Sequence, residues 1–156
     1  MGGTARQFNK MYVDYKKKFK KPIQQVAELM PEDFTDEYFV NTFARLYPDL
    51  WDDLEKQYQY WHNRNNTLIK YGKKSRYNFR KPYNFILDCR KRLRNGDRGS
   101  IISEEEREII EKNIYSKSKD KLRKREAKIQ KSLYYVQEIE PKYASKFMDK
   151  YFKTHD

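Results

Sequence analysis

The apolar repeat that follows Pro48 limits the fold more than any other feature of the chain. Its members recur at alternating spacings of three and four residues: Trp51, Leu54, Tyr58, Trp61, Asn65 and Leu68. This period matches one face of an α-helix, so it predicts a helix that begins at Pro48 and is stopped by Gly72. Asn65 is the polar member of the repeat. It either sets register or partner choice in a packed seam, or marks where the helix emerges into solvent.

The rest of the chain also follows helical periodicity. Thr35 and the acidic residues after it fit an N-cap and a first turn, and Pro48 ends the helix that they open. No segment shows the alternation of a strand, so we expect an all-α fold of about five to seven helices. The other predicted helices cover about residues 4–20, 22–29 and 82–94, and two more begin at Ser103 and Pro141.

A turn-rich stretch at residues 97–100 is the predicted boundary within the chain. The helix before it is capped by Asn95 and Gly96, since glycine commonly follows the last helical residue. We therefore divide the chain into a helical core, residues 1–96, and a C-terminal helical region, residues 97–156.

A capping box opens the C-terminal helical region, with Ser103 at the N-cap and Glu106 at the third helical position. The isoleucines up to Ile114 fall on a different face from the later apolar stripe through Ile129 when one straight helix is extended. We expect either a break or kink near residues 116–120, or one long helix whose two halves have different packing partners.

The composition favours a folded, basic, intracellular protein. Lys and Arg number 35 against 23 Asp and Glu, a net charge of +12, and the 16% of aromatic residues can build a core. Cys89 is the single cysteine, so no internal disulfide forms and a reducing cytoplasm is expected. No signal peptide or membrane span is recognisable, and the lysine and tyrosine excess is typical of a low-GC bacterium, its phage or a mobile element.

The stretch from Tyr71 to Arg94 alternates cations with aromatic and asparagine side chains. Cations contact phosphates and flat rings stack on bases, so the stretch predicts nucleic-acid or partner binding. Alternatively, the rings pack the loop onto the core and the cations are solvated. The candidate residues are Lys73, Lys74, Arg76, Tyr77, Phe79, Arg80, Lys81, Tyr83, Arg90, Lys91 and Arg94, with a second stripe at Lys117, Lys121, Lys124 and Lys128.

Catalysis finds no support in the motifs. Two histidines, His62 and His155, and one cysteine cannot make a standard zinc site, and the five glycines form no phosphate-binding loop. We therefore predict no catalytic residues, no metal, no cofactor and no enzymatic activity.

Three hypotheses follow for function. The first is a small basic protein that binds DNA or RNA through the phosphate backbone. The second is an inhibitor or accessory protein of phage or mobile-element type that docks on a nucleic-acid enzyme or nucleoprotein, such as a CRISPR nuclease (an anti-CRISPR-like role). The third is a structural or assembly protein, with a homodimer as one expected form, whose interface comprises Phe147, Met148, Tyr151 and Phe152.

The charges are unevenly distributed along the chain. Residues 28–55 hold nine acidic residues and Arg45 as the single basic one. These carboxylates pair either with the basic stretch inside the fold or with a separate basic partner.

Overall fold

Six α-helices make up the part of the chain that the computed structural model describes, which comprises residues 2–94, 99–100 and 102–134. No strand is present in these ranges, and the all-α prediction is confirmed. The helices are α1 (Gly2–Lys17), α2 (Lys20–Leu29), α3 (Asp36–Leu46), α4 (Pro48–Lys70), α5 (Pro82–Lys91) and α6 (Glu104–Tyr134).

Short-range signals set most of the helix starts. The Thr35 hydroxyl accepts a hydrogen bond from the Tyr38 amide at 3.1 Å, and the Ser103 hydroxyl accepts one from the Glu106 amide at 3.1 Å. Each bond satisfies an amide that lacks a partner inside the helix. Pro48 is the first residue of α4, as predicted.

Three helices have bounds that differ from their predictions. Helix α1 covers Gly2–Lys17 rather than about residues 4–20. Helix α2 begins at Lys20 rather than at Pro22, because proline is tolerated within the first turn of a helix. Helix α5 ends at Lys91, three residues before the predicted end at Arg94.

The centre of the core is a cluster of buried phenylalanines from separate segments of the chain. Phe19, which lies between α1 and α2, packs edge-on against Phe85 of α5 with ring centroids 5.0 Å apart. It also contacts Phe43 of α3, at 5.9 Å. Edge-to-face pairs of this kind add to the free energy of burial. Of the apolar repeat on α4, Leu54 is fully buried and the remaining members are partly buried around it.

Helix α6 runs without interruption through residues 116–120, so one long helix describes this region. It packs against α3 and α4. Ser118 is buried at that contact, donates to the Asp49 carboxylate and accepts from the Asp49 amide at 3.3 Å. The Ser118 hydroxyl therefore satisfies an unpaired amide at the N-terminus of α4.

Ion pairs hold α6 on either side of Ser118. Arg45 of α3 pairs with Glu111 at 3.1 Å, and Arg125 pairs with Asp52 of α4 at 2.9 Å. Ile109 stays outside this contact, since it is 62% exposed, and Ile110 is 40% exposed. Ile114 lies closer to the contact, because it is half-buried and lines a cleft together with Ser118 and Tyr47.

Residues 99–100, which lie between α5 and α6 in the chain, contact the turn that follows α2. The Ser100 amide donates to the Met30 carbonyl at 2.6 Å. A β-carbon at Gly99 would lie 2.4 Å from the Pro31 carbonyl oxygen, so only glycine allows this approach.

Several predictions fall outside the described residues. These are the cap at Asn95 and Gly96, the helix from Pro141, and the interface at Phe147, Met148, Tyr151 and Phe152. The division of the chain at residue 97 and the homodimer stay predictions. Among the described helices, none is both long enough and apolar enough to span a membrane.

Replacing Phe19 by alanine should destabilise the fold strongly. Phe19 is fully buried among Phe43 and Phe85, so its loss leaves a cavity and should lower the free energy of unfolding by about 3–5 kcal/mol. Tyr71, which is 73% exposed, provides the control, and Tyr71→Ala should change this free energy by less than about 0.5 kcal/mol. Urea unfolding measures both. Equal effects of the two substitutions would contradict the assigned core.

The stability of the fold should fall at high pH in part through Cys89. Burial raises the pKa of this thiol from 9.0 to about 11, so the folded state favours the neutral form. The resulting stabilisation is complete below pH 9 and is lost as the pH rises towards 11, by about 2–3 kcal/mol at most. Cys89→Ala should lack this share of the pH dependence. Parallel stability curves for the two proteins between pH 9 and 11 would refute the assignment.

Candidate functional site

The segment Lys73–Lys81, which we call the basic loop, leaves α4 through a defined turn. Gly72 has a positive φ of 75°, and the Lys73 amide donates to the Leu68 carbonyl at 2.8 Å while the Gly72 amide donates to the Ile69 carbonyl at 3.0 Å. These two bonds form the glycine-terminated motif expected at a helix C-terminus. The loop therefore starts in a fixed direction across the side of α4.

Asn65 fastens the basic loop to α4. Its side-chain oxygen accepts hydrogen bonds from the Arg76 and Tyr77 amides at 3.2 and 3.0 Å, and its side-chain nitrogen donates to the Tyr77 carbonyl at 2.6 Å. Neither interpretation of Asn65 from the sequence describes this role, because the partner is the backbone of a segment that follows it. Tyr12 of α1 adds a further attachment, accepting from the Arg80 amide at 3.3 Å.

The rings of Tyr77 and Phe79 lie in the core. Tyr77 is 4% exposed and packs against Phe8 and Trp61. Phe79 is 6% exposed and stacks on Tyr12, with ring centroids 4.9 Å apart. This burial corrects their proposed role as rings that stack on bases and matches the alternative interpretation. Tyr83 remains 39% exposed.

Side chains along the basic loop alternate between inside and outside. Since Tyr77 and Phe79 point into the core, Arg76, Asn78 and Arg80 lie on the opposite side and are exposed. Burial of the two rings therefore determines which polar groups face solvent.

The cations predicted for binding have different surroundings. Arg90 is held inside the fold, since it pairs with Asp36 at 2.6 Å, lies over the rings of Phe34 and Phe39, and has only 11% of its side chain exposed. It stabilises the packing of α5 on α3 and is not a surface contact. Arg80 pairs with Asp88 at 3.1 Å through Nε. The remaining cations of this stretch are exposed: Lys73, Lys74, Arg76, Lys81, Lys91 and Arg94.

The acidic segment is partly paired within the fold. Asp36 binds Arg90 and Asp52 binds Arg125, while Asp52 also lies 3.0 Å from Lys56. The uneven charge distribution thus contributes contacts between helices. This answers in part the question that the sequence left open.

An open groove lies between α4, the basic loop and the first turn of α5, with a volume of about 460 Å³. We call it the basic groove. No carboxylate is among its lining residues, which are Tyr58, His62, Asn65, Ser75, Arg76, Tyr77, Asn78, Phe79, Arg80, Lys81 and Asn84. Its walls combine cations with side-chain amides, a combination that suits anionic ligands carrying hydroxyl groups.

The lysine stripe of α6 faces a different cavity. Lys117 and Lys121 line a cleft of about 470 Å³ together with Lys18 and Tyr47, and Lys124 pairs with Asp120 at 3.4 Å. Lys128 is exposed as well. The stripe and the basic groove are therefore separate cationic surfaces. Within the ranges given above, no cluster of His, Cys, Asp and Glu side chains is arranged to hold a metal ion.

Comparison with known proteins finds one relative whose sequence is similar along nearly the whole chain. The chain is 27% identical to putative cyclic ADP-D-ribose synthase TIR2 of Cytobacillus dafuensis, over 98% of this chain and 42% of the relative. The chain thus spans less than half the length of the curated relative that it matches. No protein-family model matches the chain, and no solved structure is significantly similar to it.

This similarity overturns the functions predicted from the sequence. The prediction of a non-enzymatic nucleic-acid-binding protein is wrong, as are the alternatives of an anti-CRISPR-like inhibitor and of a structural protein, because the relative is named as the synthase of a cyclic nucleotide. The prediction of no enzymatic activity is contradicted by the same similarity. The charge pattern that suggested nucleic acid does not distinguish it from other ligands that carry phosphate groups.

Removing the Asn65 side chain should release the basic loop. Asn65→Ala leaves two backbone amides and a carbonyl without their partner, so the free energy of unfolding should fall by about 1–3 kcal/mol. Amide hydrogen exchange at Arg76 and Tyr77 should accelerate. Asn65→Asp keeps an acceptor for the two amides and should protect them better than alanine does.

The neighbouring asparagine provides the matched control for this prediction. Asn66 is exposed on the same helix, so Asn66→Ala should leave exchange at Arg76 and Tyr77 unchanged. Unchanged exchange in Asn65→Ala would show that the loop is held by its buried rings alone.

Proposed function

We infer that this chain is a helical part of an enzyme that makes a cyclic ADP-D-ribose type of nucleotide. One observation carries this proposal: the similarity to the C. dafuensis synthase extends along 98% of the chain rather than over a short motif. A match of this extent includes both the residues of the core and those of the basic groove. The shared segment is therefore a folded unit in our proposal.

In our proposal, this chain acts together with a second part of the enzyme. Because the match covers 42% of the relative, we assign the synthase reaction to the combination of this helical part and a part corresponding to the remainder. With NAD⁺ as the donor, the anomeric carbon of the ADP-ribosyl group forms a bond to another position of the same molecule. The glycosidic bond to nicotinamide breaks, and nicotinamide leaves with the electron pair of that bond. We assign the helical part to holding the nucleotide during this step.

The charge of the chain supports such a role. ADP-ribose carries two phosphate groups, and a net charge of +12 raises the local concentration of anions near the protein surface. The cytoplasm is part of this proposal, since the lone Cys89 is an unpaired thiol that suits a reducing compartment.

A segment exchange tests the proposed function. In the C. dafuensis synthase, the matching segment is replaced by this chain, and the chimera is supplied with NAD⁺ as the ADP-ribosyl donor. Product formation is followed by chromatography and mass spectrometry. We expect a cyclic ADP-ribose product from the chimera, within about tenfold of the parent enzyme, whereas a parent lacking the segment should be inactive.

The controls distinguish a loss of activity from a loss of folding. Circular dichroism and thermal unfolding establish that the chimera and the deletion variant are folded. A folded chimera without product would refute the proposal. Full activity of the folded deletion variant would refute it equally, because the helical part would then be dispensable.

A further inference from the structure

We propose that the basic groove binds the pyrophosphate and an adjoining ribose of an ADP-ribose-containing nucleotide. This inference rests on the proposed function and adds the site and the ligand groups that it recognises. The volume of the basic groove, about 460 Å³, lies within the range of small-molecule sites, roughly 300–1,000 Å³.

The charges of the groove match a pyrophosphate. Arg76 and Lys81 form no ion pair in the part of the chain that the structure describes, and both are exposed at the groove. Arg80 binds Asp88 through Nε, and its terminal nitrogens donate to no protein group among the described residues. Three cations thus face a groove that no carboxylate lines. Charge-assisted hydrogen bonds from such cations to phosphate oxygens are stronger than hydrogen bonds between neutral groups.

Neutral groups in the groove suit the sugar. Asn78 and Asn84 each offer an amide that both donates and accepts, as ribose hydroxyls require. His62 is exposed and stacks on Tyr58 with ring centroids 5.4 Å apart and an angle of 25°. This pair forms a flat wall of the groove against which a base or sugar packs.

The loop is ordered before any ligand binds. Asn65 holds the backbone at Arg76 and Tyr77, and the buried rings of Tyr77 and Phe79 hold the segment between Arg76 and Arg80. Because the backbone beneath the cations is already fixed, less conformational entropy is lost on binding. The backbone that carries the exposed cations of the groove is therefore held in place by contacts within the protein.

Isothermal titration calorimetry of the 156-residue chain tests the proposal with cyclic ADP-D-ribose, ADP-ribose, NAD⁺ and AMP. We expect the pyrophosphate-containing ligands to bind at least about tenfold more tightly than AMP, which has one phosphate. The double variant Arg76→Glu/Lys81→Glu should weaken this binding by at least about tenfold.

The matched control changes the same loop by the same charge. Lys73 and Lys74 are exposed but do not line the groove, so Lys73→Glu/Lys74→Glu should change affinity by less than about threefold. Equal weakening by both double variants would overturn the proposal, since long-range charge alone would then explain binding. Equal affinity for AMP and ADP-ribose, or no binding of any ligand, would also overturn it.

The chimera separates this inference from the proposed function. An active chimera that is unaffected by Arg76→Glu/Lys81→Glu would leave the proposed function intact and refute the groove. An inactive, folded chimera with a chain that still binds ADP-ribose through Arg76 and Lys81 would refute the proposed function and leave the groove as a nucleotide site.

Discussion

The burial of two rings from the basic loop is the constraint on which the functional surface depends. Tyr77 and Phe79 enter the aromatic core beside α1, and the Asn65 side chain binds the backbone of Arg76 and Tyr77. With the rings inside, the intervening polar side chains have only the outer side available. A segment without regular secondary structure thereby forms one wall of the basic groove.

Local sequence patterns predict the helices well because their causes are local. The spacing of the apolar repeat on α4, the cap at Thr35 and the capping residue Ser103 act within a few positions. The position of α6 is different. It depends on Ser118 meeting Asp49, a residue 69 positions away, and on ion pairs at comparable separations, so the continuous helix was only one of two expectations.

The site is less predictable than the fold for the same physical reason. Whether Arg90 faces solvent depends on Asp36 in another helix, and whether Tyr77 stacks on a ligand or on Phe8 depends on how α1 packs. The exposed cations of the loop could be predicted, whereas the clamp by Asn65 required the three-dimensional structure. The chemistry of the ligand follows from no motif in the chain, because both nucleic acids and dinucleotides present phosphate groups to cations, and a lysine-rich composition favours neither.

A nuclear magnetic resonance titration of the ¹⁵N-labelled chain with ADP-ribose tests the central claim most directly, because it compares the two cationic surfaces in one experiment. The basic groove predicts saturable chemical-shift changes at the amides of Arg76, Asn78, Arg80 and Lys81, with little change along α6. Changes centred on Lys117 and Lys121, or small unsaturable changes spread over all exposed lysines, would contradict the account.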